Sequence, residues 1–547
     1  MSKIRLLSIK IKKNEIFFLV ESKKLENSGK IFLNVSSRKN KKKYVLLKPI
    51  KSNGNSLLFK MDIGRLDFQE IYWDIFLEDG FQRKRVVGKS QIQVYFRNLF
   101  RKKIKKITVG DLQYLLTCYF AVGSGLSLQL RQTDEYDNKI YQLKEICAIL
   151  LLPFVYWYFR SSNLTYEKFS NYARDNSFYY FIYIQQNILK NKLYFVIKKD
   201  SPDYKKVIKY KKHVVHFMSI KHLILILSSK YFVASEAKGH AYAWRHNQSI
   251  SRFMLNRKPF VFLQHGVLGL KKVDNTFFAN NKLNHADLFV ASSNFEKDII
   301  VNYLGYNPQN VVTTGLARWD IKEKINKEKK IFIMPTWRVN LELSQEESFL
   351  KSNFYLEYRK LIFSDSLIKV LEDSGYIIHF MLHPKFVQFE KYFDSSSSRI
   401  QVISQNDAEI INELRSSQLV ITDYSSILWD ALYYNIPGIL FQFDQEDYLN
   451  LQGSYLDLKK ELNELIIYSM DDLIDFIILF IKDEGNNSKV DAILEKKDYY
   501  FKYHDQKNAI RIQNAISLWE KDFIFESLYQ KLFKKFCRKL LKRKVTK

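Results

Sequence analysis

The sequence predicts an α/β chain in which two parallel-sheet domains follow a small β-rich one. Two observations carry that expectation. From about residue 220 to 500, short apolar runs alternate with amphipathic stretches, the pattern of parallel strands flanked by helices. Residues 1–95 consist instead of short alternating or β-branched runs broken by turn residues. The 547 residues are enough for several domains. Hydrophobic residues at 46% and aromatics at 15% supply ample core and exclude a globally disordered chain. With only 17 Gly and 8 Pro, low-complexity linkers are not expected, and no internal repeat is visible.

In the β-rich segment the runs IRLLSIKIKK, EIFFLVES, KIFLNVSS, KYVLLKPI, SLLFKMDI, IYWDIFLED and KRVVGKSQIQVYF are the expected strands. Gly29, Asn53–Gly54 and Asp79–Gly80 mark turns, and the spacing suggests a small sandwich or barrel. RNLFRKKIKKI (97–107) reads as a basic connector, either a linker or a helix on an anionic surface. Residues 108–215 read as mostly helical and aromatic. Beyond them the expected strands are 231–235, 260–264, 288–292, 311–315, 331–335, 376–383, 399–404, 419–423 and 438–443. The charged stretch DIKEKINKEKK has no apolar face and marks a boundary between two halves. The resulting domains are a β-rich domain over 1–96, an α/β half with a helical aromatic insert over 97–325, a second α/β half over 326–515, and a C-terminal helix with a basic tail over 516–547. The tail FKKFCRKLLKRKVTK places Leu532, Phe533, Phe536, Leu540 and Leu541 at helical spacing, as in a helix for an anionic membrane or a solvated terminal one.

The net charge of +29 points to a polyanionic neighbour: nucleic acid, an anionic membrane or a phosphate-rich substrate. A Lys-rich surface that only solvates the protein is the plainer reading. No nucleic-acid-binding motif is visible, so no nucleic-acid partner is expected. Cys118, Cys147 and Cys537 lie far apart without metal spacing, which fits a reducing compartment. The N-terminal residues MSKIRLLSIKIKKNEIFF carry charges through their apolar stretch and do not read as a signal peptide. The longest apolar run, about Ile146 to Phe159 and broken by Pro153, is shorter than the roughly 20 residues a spanning helix needs. A cytoplasmic protein with peripheral membrane contact is expected.

Five strand ends carry residues suited to phosphate. In TDYSS, Ser425 or Ser426 opens the helix SILWDALYY after Thr422–Asp423, where helix N–H groups favour either an ordinary cap or a phosphate. In FLQHGVLGLKK, His265 is placed as a general base or phosphate contact, and Gly266 and Gly269 admit close backbone approach. MLHPKF sets His383 before Pro384 and adds Lys385. TTGLARWD offers Arg318 as a fork-shaped phosphate donor, with Asp320 to orient it or to cap the next helix. IMPTWRVN offers Thr336 and Arg338. Taken singly, each His is more often structural and each Arg more often a surface ion pair. Five together in one α/β region favour a site.

In that order along the chain, QHG, ADLFVASSNFEKDII, TTGLARWD, MPTWR, LHPK and ITDYSSILWDALYYNIPGILFQFD resemble the CDP-glycerol glycerophosphotransferase family, the teichoic-acid polymerases and primases, over roughly 220–515. The resemblance implies a GT-B-like architecture of two Rossmann-like domains with the donor in the cleft between them. It implies transfer of an alditol phosphate (glycerol phosphate, ribitol phosphate or another) from a CDP-alditol to a hydroxyl of a lipid-linked or polymeric cell-envelope acceptor. CMP is released at the cytoplasmic face of the membrane. It makes His265 the general base and His383 a second essential contact. Thr422, Ser425 and Ser426 join the diphosphate site, with Arg318 and Arg338 nearby, and Gly266, Lys385, Asp423 and Asp430 also fall on the substrate-binding side. No cofactor is required on this reading and no metal ligand is expected; Mg²⁺ is compatible, but no acidic cluster demands it. LQGSYLDLKKELNELIIYSMDDL lacks the prolines the family often has there, and YHDQKNAIRI replaces its Asp-Gly pattern, departures that bear on the acceptor and the alditol. The alternatives are a GT-B glycosyltransferase using a nucleotide sugar, and a non-catalytic module binding an anionic polymer.

Overall fold

The computed structural model describes residues 4–22, 31–79, 82–90, 94, 104–121, 124–244, 249–342, 344–395, 397–404, 408–485 and 497–522. It divides into two compact units. The first comprises Met1–Phe159, Met218–Ser228 and Tyr242–Arg257, and the second Arg160–Phe217, Ser229–Ala241 and Lys258–Lys547. The helices named below are α1 (Lys139–Phe159), α2 (Asn176–Asn187), α3 (Ile220–Ser228), α4 (Ile250–Arg257), α5 (Asn294–Asn302) and α6 (Ile427–Tyr433).

Among the described residues the first unit has the strands β1 (Arg5–Lys12), β2 (Glu15–Glu21), β3 (Phe32–Ser37), β4 (Tyr44–Leu47), β5 (Pro49–Asn53), β6 (Ser56–Asp62), β7 (Tyr72–Glu78), β8 (Arg83–Arg85), β9 (Val87–Gly88), β10 (Ile104–Val109), β11 (Leu112–Phe120) and β12 (Leu126–Gln132). One sheet runs β5-β6-β2-β1-β9; the other runs β10-β11-β12-β7-β3-β4, with β8 on β7. Alternation selects the inward face: Ile16, Phe18 and Val20 of β2 and Trp73, Ile75 and Leu77 of β7 are buried. Residues of both sheets share one core, in which each fully buried large side chain contributes about 1.5–3 kcal/mol.

The β-rich part therefore runs to Gln132 and not only to residue 96. Ile104–Val109, the end of the expected basic connector, is a strand, and so is Leu112–Phe120 in the stretch read as helical. Tyr114–Cys118 are buried at five consecutive positions, so β11 has no alternation to set its period apart from a buried helix. The rest of the connector, the turn glycines Gly29 and Gly80, Cys537 and the basic tail lie outside the described residues.

After the sandwich, α1 packs on α3, and α3 on α4. Buried Glu145 of α1 accepts the Tyr242 hydroxyl at 2.6 Å, and Tyr242 also meets Ser249 at 2.8 Å. The opposite face of α1 is exposed along Ile140, Leu143, Ile146, Leu150, Leu151, Phe154, Trp157 and Tyr158, with Phe154 84% and Trp157 70% accessible. The apolar run expected to be too short is part of this 21-residue helix, which is long and apolar enough to cross a membrane by length and composition. Pro153 lies inside it without ending it.

The second unit holds two all-parallel sheets. The first uses β13 (Asn163–Tyr166), β14 (Leu193–Ile197), β15 (Val214–His216), β16 (Phe232–Ala234), β17 (Phe260–Phe262), β18 (Leu288–Ala291) and β19 (Val311–Thr313) in the order β15-β14-β13-β16-β17-β18-β19. The second uses β20 (Lys330–Ile333), β21 (Ile377–Phe380), β22 (Ile400–Val402), β23 (Leu419–Thr422), β24 (Gly438–Phe441) and β25 (Ile466–Ile467) in the order β22-β21-β20-β23-β24-β25. Both follow the doubly wound 3-2-1-4-5-6 order, with a seventh strand on the first. β13, β14 and β15 fall in the stretch read as helical. The run LYFVI is buried throughout and short, so apolar periodicity does not identify it as a strand. The second sheet opens with β20 at Lys330. A helix over 508–522, starting ahead of the expected 516, returns to the first sheet. There Gln513 accepts the Tyr180 hydroxyl at 2.6 Å, Trp519 packs edge-on to Tyr231, and Glu520 pairs with Lys230.

Candidate active site

In each parallel sheet the strand order reverses beside its first strand, between β13 and β16 and between β20 and β23. The loops at the carboxyl ends of those strands splay apart there, and ligands of open α/β sheets bind in that crevice. Residues 167–175 follow β13, the 264–272 loop follows β17, MPTWR follows β20 and TDYSS follows β23.

On the second sheet, two loops are tied into one bracket. The Thr422 hydroxyl donates to the Met334 carbonyl at 2.6 Å, and the Thr336 amide donates to Asp423 at 2.8 Å. Arg338 donates to Asp423 at 2.8 Å and to both oxygens of Asp444 at 2.6 and 3.0 Å. Tyr424 and Tyr448 stack at 3.6 Å beside that guanidinium. Burial opposes the charge of Arg338, but Asp423 and Asp444 outweigh it and hold the pKa above its ordinary range. Thr422, Asp423 and Arg338 thus engage one another's loops, and all three are buried. The sequence placed them on the phosphate; the structure gives their polar atoms partners inside the protein, so they position the loops.

Arg318 has the same character. Its Nε and NH2 form a two-pronged pair with Asp430 at 2.9 Å each, and its NH1 donates to Asp175 at 2.9 Å and to the His265 carbonyl at 2.8 Å. Asp430 also accepts the Trp319 indole N–H at 2.6 Å. One buried guanidinium therefore joins the loop after β13, the His265 loop and α6. Asp320 does not orient Arg318: it accepts the amides of Asn508 and Ala509 at 2.9 and 2.6 Å and caps the helix over 508–522.

The serines of TDYSS differ from the expected cap. α6 spans seven residues, and its N-cap Ser426 makes no side-chain capping bond. Ser425 Oγ accepts the Ile427 amide at 3.4 Å, a long contact. A Cβ at Gly266 would stand 2.4 Å from Ser426 Oγ and 3.0 Å from its Cβ, so the His265 loop and the start of α6 are in direct apposition and any side chain here must displace Ser426. The preceding Gln264 holds a left-handed φ of 61°, kept by bonds from Asn176 to its carbonyl and from its amide to Val290, each 2.8 Å.

His265 as a whole is exposed to solvent. The protein packed around it lowers its pKa below 6.5; Asp175 pulls the other way, and Lys168, Lys271 and Arg318 lower it further. His383 responds to the same two lysines. Burial first, then Lys271, Lys168 and Lys385, push its pKa down to about 3. Burial and the same two lysines thus favour the neutral form of both imidazoles. His383 Nδ1 accepts the Lys385 amide at 3.2 Å, which leaves Nε2–H as the donor. The Lys385 ammonium lies 3.3 Å over the Trp337 ring and 2.7 Å from Glu342.

Sequence reasoning missed Glu167, Lys168, Asp175 and Lys271. Burial, reinforced by Asp175, raises Glu167 to about 8, and burial raises Asp175 against the opposing effect of Arg318. Burial lowers Lys271. The signal for the first three was an acid- and Lys-bearing segment after a strand, legible only once NLTY is recognised as β13. Lys271 lies in the quoted HG loop, where only its charge marked it.

Residues 153–518, more than half of the chain, match the family described as CDP-Glycerol:Poly(glycerophosphate) glycerophosphotransferase. The chain is 31% identical over 367 residues to the minor teichoic acid biosynthesis protein GgaB of Bacillus subtilis (strain 168), covering 63% of this chain and 38% of that protein. It is 26% identical over 252 residues to the teichoic acid ribitol-phosphate polymerase TarK of Staphylococcus aureus (strain NCTC 8325 / PS 47), covering 42% and 46%. This chain thus spans less than half the length of these two relatives. A solved structure of the wall teichoic acid polymerase TagF aligns over 72% of this chain and 100% of its own, with 16% identity and a TM-score of 0.49.

Proposed function

Because the chain belongs to the CDP-glycerol:poly(glycerophosphate) glycerophosphotransferase family, we propose that it transfers an alditol phosphate from a CDP-alditol to a hydroxyl of a teichoic-acid-like acceptor within a GT-B-like pair of domains. The observation that carries this reading is the pair of histidines, His265 and His383, at the carboxyl ends of β17 and β21, both held toward the neutral form by burial and by the same two lysines, Lys168 and Lys271.

The acceptor oxygen bonds to the distal phosphorus of the donor, and the bond from that phosphorus to the bridging oxygen breaks. The bridging oxygen leaves on CMP. His265, held neutral, takes the acceptor proton. Arg318 sets its position by gripping the His265 carbonyl while anchored on Asp430 and Asp175. His383 donates from Nε2 to the diphosphate. Lys168, Lys271 and Lys385 offset the charge that grows on the leaving group, and the Ser425 and Ser426 hydroxyls complete the donor side. On this reading the set requires no resident metal, although Mg²⁺ is compatible with it, and turnover is expected to survive chelation with EDTA.

We place the enzyme peripherally at the cytoplasmic face of the membrane. The exposed face of α1 supports this: Phe154 and the leucines suit acyl chains, while Trp157 and Tyr158 suit the interface. With its other face on α3, the helix fits lying in the surface better than crossing it. The double variant Phe154→Glu, Trp157→Glu should stop flotation with phosphatidylglycerol–phosphatidylcholine vesicles. Unchanged flotation refutes the placement.

The deciding assay incubates purified protein with CDP-glycerol or CDP-ribitol and follows CMP with and without teichoic-acid acceptor. Acceptor-dependent CMP release from either donor is expected. Release of a nucleoside diphosphate from a sugar nucleotide, with neither CDP-alditol consumed, would overturn the reading.

A further inference from the structure

A cavity of about 460 Å³, within the usual range for small-ligand sites, opens between α5 and the segments around 455–461 and 498–502. None of the groups assigned to catalysis lines it. Its walls are aromatic: Tyr303 lies 5.2 Å from Tyr455, and Tyr499 lies 5.6 Å from Phe295. Two of these rings are held out to solvent, Tyr303 at 53% and Tyr499 at 63% exposure. The charged groups on the lining are Asp298, Glu461 and Asp498 against Lys502. That is an acidic surplus on a chain whose net charge is +29.

This combination selects a ligand class. Exposed aromatic rings give flat apolar faces for the C–H side of a ring or polyol chain. Carboxylates accept hydrogen bonds from hydroxyls. The acidic surplus disfavours a phosphodiester, which the lysine-rich crevice suits instead. The cavity is also mechanically joined to the His265 loop. Glu296 of α5 accepts the Leu268 amide at 2.6 Å, and the Tyr455 amide and Ser454 hydroxyl both donate to the Gly269 carbonyl, at 3.0 and 3.2 Å.

We propose that this cavity binds an uncharged polyhydroxyl unit, a sugar or alditol residue, of the acceptor chain. The identification of the ligand as acceptor rests on the function proposed above; the binding chemistry does not. A unit held here fixes the register of the acceptor while its phosphates remain outside.

The test has two arms. In the first, saturation-transfer NMR on the full chain uses methyl glucoside, ribitol and inorganic phosphate as probes. The glycoside or ribitol is expected to receive magnetisation, Tyr499→Ala and Tyr303→Ala to abolish most of the transfer, and Tyr499→Phe to retain it. Phosphate is expected to compete for neither. In the second, the same Ala variants should raise the KM for polymeric acceptor roughly fivefold to tenfold, with kcat and CMP affinity unchanged. Transfer to the polyols that survives both Ala substitutions, or phosphate displacing them, overturns the proposal. If no CDP-alditol turns over, the functional reading fails while the first arm still decides the cavity.

Discussion

Replacing Asp430 by Asn keeps the shape of the side chain and removes its charge, at the point where the most structure depends on it. The carboxylate accepts Arg318 Nε and NH2 at 2.9 Å each and the Trp319 indole at 2.6 Å. The Arg318 and Asp430 side chains are 7% and 8% exposed, so solvent does little to screen the loss. An amide keeps one acceptor oxygen but turns an N–H₂ group toward a guanidinium. Breaking a buried pair from one side costs about 3–5 kcal/mol. Asp175, 2.9 Å from NH1, still balances part of the charge, which places the expected loss near the lower end, about 3 kcal/mol. The freed guanidinium also loosens its hold on the His265 carbonyl, so turnover should fall along with stability. Urea unfolding followed by tryptophan fluorescence reads the first effect, because Trp319 is itself a partner of Asp430. CMP release reads the second. A variant with an unshifted urea midpoint and normal turnover refutes the reading of Arg318–Asp430 as the positioning brace.

His265→Ala should abolish transfer with an unchanged thermal midpoint; near-normal turnover in circular-dichroism-verified protein removes His265 from the base role. Since the His265 pKa lies below 6.5 and the neutral form is active, kcat/KM should hold at neutral pH and fall only as pH drops below about 6.5, with His383, at about 3, adding no limb in that window. Gly266→Ala should cost about 10- to 100-fold in turnover by crowding Ser426 at the start of α6 and shifting the His265 loop, read as CMP release; normal turnover would show that the loop tolerates the added Cβ. His222, fully buried on α3, has its pKa lowered by burial to about 3. The unfolded chain takes the proton first, so its contribution is complete above about pH 6.5 and is lost as pH falls toward 3, about 2 kcal/mol by pH 5. His222→Asn should flatten the decline in urea midpoint between pH 7 and 5 relative to the parent.

The sequence by itself determined the local facts. Strand–helix alternation beyond residue 220, the β-rich start and the polar strand ends all lie within windows of a few residues, where apolar period and turn chemistry act. Tertiary structure decided whatever depends on covering both faces of an element. β11 and β14 are buried on both sides, so their residues carry no alternation, and two sandwich strands and three strands of the first parallel sheet were hidden in a stretch that reads as helical. It also decided roles. Arg318 meets Asp430 and Asp175 across 112 and 143 residues, and Thr422 meets Met334 across 88. Nothing local distinguishes an arginine aimed at a phosphate from one held by two buried carboxylates. Charge pairing of that kind is set by which loops the sheet order brings together, and a linear chain does not encode it in any short motif.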